Sequence, residues 1–125
     1  MLDKRYYEGY EGEGEVKVWV DDNGVESGMV IWRGFFEAIL EGCFRSEFQK
    51  NGISECYYNQ NGFYDDKWEM QSPYIVLQEV NYFDENLLNT ENEEIIKKSK
   101  EVITLLISFI NIAIENKQKI YVEYV

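Results

Sequence analysis

The spacing of hydrophobic and polar residues changes several times along this chain, and each change marks a predicted element. Residues 15–22 alternate, with Val16, Val18 and Val20 on one side and Glu15, Lys17, Trp19 and Asp21 on the other. That period of two predicts a half-buried strand. Asn23-Gly24 follows, a pair that tolerates the positive φ angles of a two-residue hairpin turn. From Met29 to about Lys50 apolar residues fall at 32, 35, 36, 39, 40, 43, 44 and 48, the period of a helix. Gly34, Ala38, Gly42 and Ser46 form a ridge of small side chains along it, suited to close approach of the C-terminal helix, beside a charged line of Arg33, Glu37, Glu41 and Arg45. Asn51-Gly52 ends the helix with a left-handed cap.

A second Asn-Gly pair, Asn61-Gly62, predicts a hairpin of about 54–60 with 63–70. After Pro73, residues 74–83 carry apolar side chains on both parities, which predicts a central strand. Thr90 and Glu93 have the spacing of a capping box, and a long apolar run follows from Val102 to Ile114. Thr104, Ser108 and Asn111, with Glu101 and Glu115, form its one polar stripe. A helix over 91–116 would have about 26 residues and run ~39 Å. Ile120, Val122 and Tyr124 then alternate as a last strand. The predicted fold is α+β: a single domain, 1–125, with a mainly antiparallel sheet and two helices, about 29–50 and 91–116, packed against it. The Tyr-, Gly- and Glu-rich stretch at 6–15 reads as a flexible acidic lead-in or a frayed first strand.

Charge changes this picture by suggesting partners. The formal net charge is −12, and it is uneven. Residues 1–26 hold eight acidic against three basic residues and residues 55–94 hold ten against one, balances of −5 and −9. Nucleic acid is a poor partner for such a surface, because phosphate binding rests on Lys and Arg, and an anionic membrane is equally disfavoured. A basic protein is the favoured partner, since the field would speed its approach. Solubility is the plainer use of the same charge. The N-terminal residues carry no signal-peptide pattern and no stretch approaches the ~20 apolar residues of a membrane span, so a cytoplasmic location is expected.

Candidate chemistry is sparse. There are no histidines, which excludes Ser-His-Asp and Cys-His nucleophile systems and His metal ligation. Cys43 and Cys56 are expected to be buried thiols rather than a disulfide. Gly9, Gly12 and Gly14 match neither phosphate-loop spacing. Asp21, Asp22 and Glu26 fail as a calcium loop, because Trp19 stands where the first ligand belongs. Asp65, Asp66 and Glu69 read as a solvated acidic face rather than an acid–base pair. No catalytic residue, metal site or cofactor is expected.

The block from Tyr57 to Glu85 is better suited to binding. Tyr57, Tyr58, Tyr64 and Trp68 interleave with Asp65, Asp66 and Glu69, and Asp84 and Glu85 extend the acidic run. Aromatic anchors supply buried area, while carboxylates steer and pair with Arg and Lys. In size, acidity and this block the chain resembles the bacterial immunity proteins that neutralise toxins of interbacterial competition. The resemblance implies a non-catalytic inhibitor that covers the basic active-site cleft of a toxin, such as a nuclease domain, with these nine residues as its partner-binding surface. Two other functions fit the sequence: a small-molecule-binding or catalytic α+β domain, and a structural or regulatory homodimer formed through the long helix.

Overall fold

The computed structural model describes residues 1–45, 47–59 and 66–124. Its sheet is built on the predicted hairpin, β2 (Glu15–Asp22) with β3 (Val25–Trp32), following a two-residue strand β1 (Leu2–Asp3). Asn23 and Gly24 take φ values of 54° and 86°, which sets the register: Val20 opposite Ser27, Val18 opposite Met29, Val16 opposite Ile31. The three valines are buried, as their alternation requires.

The remaining elements are the helices α1 (Arg33–Cys43), α2 (Ile53–Asn59), α3 (Pro73–Asn81) and α4 (Glu93–Glu115), and the strands β4 (Trp68–Glu69) and β5 (Tyr121–Tyr124). A 3-10 turn spans Glu85–Leu87. The strand order is β1-β3-β2-β5-β4. β1 runs parallel to β3 and the other pairings are antiparallel, so the fold is α+β with a mixed sheet. Helices gather on one face, where Val16, Val18, Ile31 and Val122 join Phe35, Ile39, Val76, Leu106 and Ile110 in one core. On the other face Trp19 is buried beside Tyr121, under the ammonium groups of Lys17 and Lys67.

Several expectations need correction. The helix predicted from residue 29 begins at Arg33, because Met29–Trp32 complete the ladder with β2, and it ends at Cys43. Among the described residues no side chain caps its start; the carbonyl of Gly14 accepts from Arg33 N–H instead. Residues 54–59 form a helix, not a strand. Their first amides are held by Glu79, whose carboxylate accepts from Ile53 N–H at 2.7 Å and Ser54 N–H at 3.4 Å. Of the predicted partner strand, Trp68–Glu69 is extended, and the Asn61-Gly62 turn lies outside the described residues. The predicted central strand at 74–83 is helix α3, with Pro73 in the first helical turn, where its missing N–H costs nothing. The central position belongs to β2.

The long C-terminal helix stands where it was expected, two residues shorter at its start. Asn92 rather than Thr90 is its cap, accepting from Glu94 and Ile95 N–H, while Thr90 Oγ1 accepts from Asn92 N–H. Val102, Leu106, Ile110 and Ala113 are buried and Thr104, Ser108, Asn111 and Glu115 are exposed. α4 packs against α1 and α3. The small-residue ridge of α1, though, is roofed by rings: Trp32 covers Gly34 and Phe83 covers Gly42. The N-terminal lead-in is a closed turn. Tyr10 stacks on Trp32 at 4.0 Å, Tyr6 OH donates to Glu101 at 2.9 Å, and Tyr7 OH donates to the Glu13 carbonyl. No helix among the described residues is long and apolar enough to cross a membrane.

Candidate functional site: an aromatic groove beside an acidic helix face

The end of α1 creates an exposed apolar surface. At Phe44 the backbone turns extended (φ −67°, ψ 137°), which takes this ring off the buried face that helical spacing assigned to it. Phe44 meets Phe48 edge-on at 5.3 Å, and Phe48 stacks on Tyr58 at 5.5 Å with ring planes 11° apart. Such pairs prefer these offset and edge geometries, because each ring has a negative face and a positive edge. With Leu40 as a buried floor, Leu87 from the 3-10 turn and Glu41 at the rim, these residues line a groove of about 290 Å³. Phe44, Tyr58 and Leu87 are 45%, 48% and 43% exposed, so the groove is open to a partner.

A second groove, of about 380 Å³, runs along the other side of α1 between Trp32, Ala38, Leu88 and Ile95, and Glu41 lines both. The charged line of α1 separates in its roles. Glu37 Oε1 accepts from Arg33 Nε at 2.6 Å and from Tyr57 OH at 2.7 Å. Glu41 Oε1 accepts from the backbone N–H of Asn89. Arg45 turns away, lying over the Tyr82 ring and donating to the carbonyls of Phe44 and Tyr82.

The nine residues of the predicted binding block spread over several elements. Tyr57 belongs to the core, edge-on to Phe36, and burial followed by its bond to Glu37 pushes its hydroxyl up to about 12. Tyr58 lines the groove, its hydroxyl pushed up by burial and then by the charges of Glu37 and Glu41. Tyr64 and Asp65 lie outside the described residues. Asp66 is exposed and accepts from Lys67 N–H. Trp68 stands opposite Val122 and packs partly on the core, and Glu69 stands opposite Tyr121. Asp84 caps the 3-10 turn through Asn86 N–H, and Glu85 pairs with Lys100 at 3.3 Å.

Comparison of the chain with protein-family models, curated proteins and solved structures finds no match. Function therefore rests on what these side chains can do. Among the described residues no group of three or more Cys, Asp or Glu is arranged to hold a metal ion. Cys43 and Cys56 are both buried, and burial pushes Cys43 up to about 12, far from the thiolate a nucleophile needs. What the site offers is shape, rings and negative charge. Phe44, Phe48 and Leu87 were absent from the predicted surface. Their apolarity was legible, but the break at Cys43 that exposes Phe44 was not.

Proposed function

We propose that this chain is a non-catalytic acidic binding protein that neutralises a basic protein by covering its working surface, as the immunity proteins it resembles do. The observation that supports this most is the open groove of Phe44, Phe48, Tyr58 and Leu87 beside Glu41, on a chain of net charge −12. Interfaces gain most of their energy from a few desolvated rings, while carboxylates around them raise the encounter rate and reject like-charged partners. A nuclease-type toxin domain suits the charge, because its active-site cleft must itself attract phosphate.

The test is retention from lysate of the source cells on immobilised protein at low salt, elution by rising salt, and mass spectrometry of the eluate. A basic protein whose recombinant form is inhibited at stoichiometric amounts of this chain is the expected result. Retention of no basic protein, or retention without inhibition, would defeat the reading.

A further inference from the structure

Resting on the reading of a basic protein partner, we propose that the groove takes an aromatic or aliphatic side chain of that partner and that Glu41 pairs with an adjacent arginine. Three observations lead there. Phe44, Tyr58 and Leu87 are each more than two-fifths exposed yet share a single groove with a floor, Leu40, that is only 1% exposed. A ring or branched aliphatic group placed there would remove apolar surface from water on several sides at once.

Glu41 then sets the charge of the occupant. It is half-buried, it lines both grooves, and its carboxylate accepts from a neutral backbone donor, Asn89 N–H. None of the ion pairs formed among the described residues uses it. Glu37, one turn away, is already held by Arg33 and Tyr57. The other guanidinium on this line, that of Arg45, lies over Tyr82. A half-buried carboxylate on a residue that lines both grooves favours a cation, and an arginine fits better than a lysine, because its planar group also stacks on an exposed ring such as Tyr58.

The probes are three blocked dipeptides, N-acetyl-Phe-Arg-amide, N-acetyl-Phe-Glu-amide and N-acetyl-Gly-Arg-amide, titrated into the full-length protein and followed by amide and side-chain chemical shifts. The Phe-Arg peptide should give saturable shifts at Leu40, Phe44, Tyr58 and Leu87. Its dissociation constant should be ~3–10-fold lower than that of the Phe-Glu peptide, and Gly-Arg should bind more weakly than Phe-Arg. Glu41→Gln, which keeps an acceptor for Asn89 N–H, should abolish the preference for Arg over Glu. Phe44→Ser, at an exposed ring, should weaken Phe-Arg binding with the fold's spectrum otherwise intact. Shifts centred outside the groove, equal affinity for Phe-Arg and Phe-Glu, or undiminished discrimination in Glu41→Gln would each overturn the proposal. A basic protein retained from lysate equally well by Phe44→Ser would also overturn it, while the wider partner reading would stand. Dipeptide binding as described, with no basic protein retained, would sustain the groove and defeat that wider reading.

Discussion

The carboxylate of Glu79 in α3 accepts the backbone N–H of Ile53, twenty-six residues earlier in the chain, at 2.7 Å. It accepts Ser54 N–H as well, so a side chain on one helix starts another. Gly52 makes room for it: a Cβ there would lie 2.5 Å from the Glu79 carboxylate. The first amides of any helix lack intrahelical acceptors, and negative charge suits that end. Because α2 carries Tyr58, this bond also fixes one wall of the groove. Replacing Glu79 by Ala should destabilise the protein by ~1–3 kcal/mol, the cost of leaving buried donors unpaired. Amide exchange should accelerate first at residues 53–57. Unchanged exchange there would show that α2 is held by packing alone.

The same carboxylate predicts a pH dependence. Burial pushes Glu79 above its ordinary value of 4.5, outweighing the two amides and the Ser54 side chain that pull it down. The folded protein therefore holds this proton more tightly than the unfolded chain does. The contribution is full below 4.5 and is lost as pH rises through the folded value. Glu79→Gln cannot titrate. The stability of the wild type relative to Glu79→Gln, from urea unfolding at a series of pH values, should rise as pH falls from 7 toward 4.5. A flat or opposite difference would refute the assignment.

Glycines at two positions predict opposite tolerances. A Cβ on Gly28 would stand 2.1 Å from the Val18 carbonyl oxygen and 2.7 Å from the Trp19 Cα, backbone of the neighbouring strand that cannot give way without opening the ladder. Gly28→Ala should cost at least the ~1–3 kcal/mol of an overpacked core. At Gly34 the obstacle is the Trp32 ring, 2.3 Å away, which can swing aside. Gly34→Ala also gains about 1 kcal/mol of helix propensity. It should keep its melting temperature within a few degrees but change the near-ultraviolet circular dichroism of the Tyr10–Trp32 stack. Equal destabilisation of the two variants would contradict this account.

What was legible in the sequence follows from how far each signal reaches. Asn23-Gly24 and the alternation of Val16, Val18 and Val20 are local, and the β2–β3 hairpin forms as they require. The long apolar period of α4 is also sufficient in itself. α2 was not legible, because Cys56, Tyr57 and Tyr58 favour strands by composition and the acceptor that starts the helix sits on α3. α3 misleads for a related reason: Ile75, Val76, Leu77 and Val80 fit both periods, and only packing against α1 and α4 decides between them. For the candidate site, Tyr58 was anticipated. Phe44 and Phe48 were assigned to a buried helix face, which the extended backbone at Phe44 removes.

Neighbouring isoleucines on α4 separate core from surface. Ile110 is fully buried and Ile112 is 54% exposed. An aspartate at 110 would bury an unpaired charge at a cost of several kcal/mol, whereas substitution at 112 should stay within ~0.5 kcal/mol. Ile110→Asp should therefore lack a cooperative thermal transition and Ile112→Asp should retain one near the wild-type temperature. A folded Ile110→Asp protein would remove α4 from the core.

With a cognate basic protein in hand, charge and rings should act on different rate constants. Asp66 and Glu69 stand at the β4 edge and Glu41 at the groove, on surfaces where exposed charges act over the ~8 Å Debye length of physiological salt. Neutralising Asp66 and Glu69 to Asn and Gln should lower the association rate and flatten its dependence on ionic strength, leaving dissociation nearly unchanged. Tyr58→Ala or Phe44→Ala should do the reverse, raising the dissociation rate by the equivalent of up to ~2–4 kcal/mol if the ring is a desolvated anchor. Glu41→Gln should share in both, since the carboxylate steers from the rim and then pairs inside the contact. Stopped-flow association at several salt concentrations, paired with competition-measured dissociation, separates these outcomes. An association rate indifferent to salt in the wild type would reduce the acidity of this chain to a solubility device. Dissociation unaffected by both ring truncations would place the interface away from the groove.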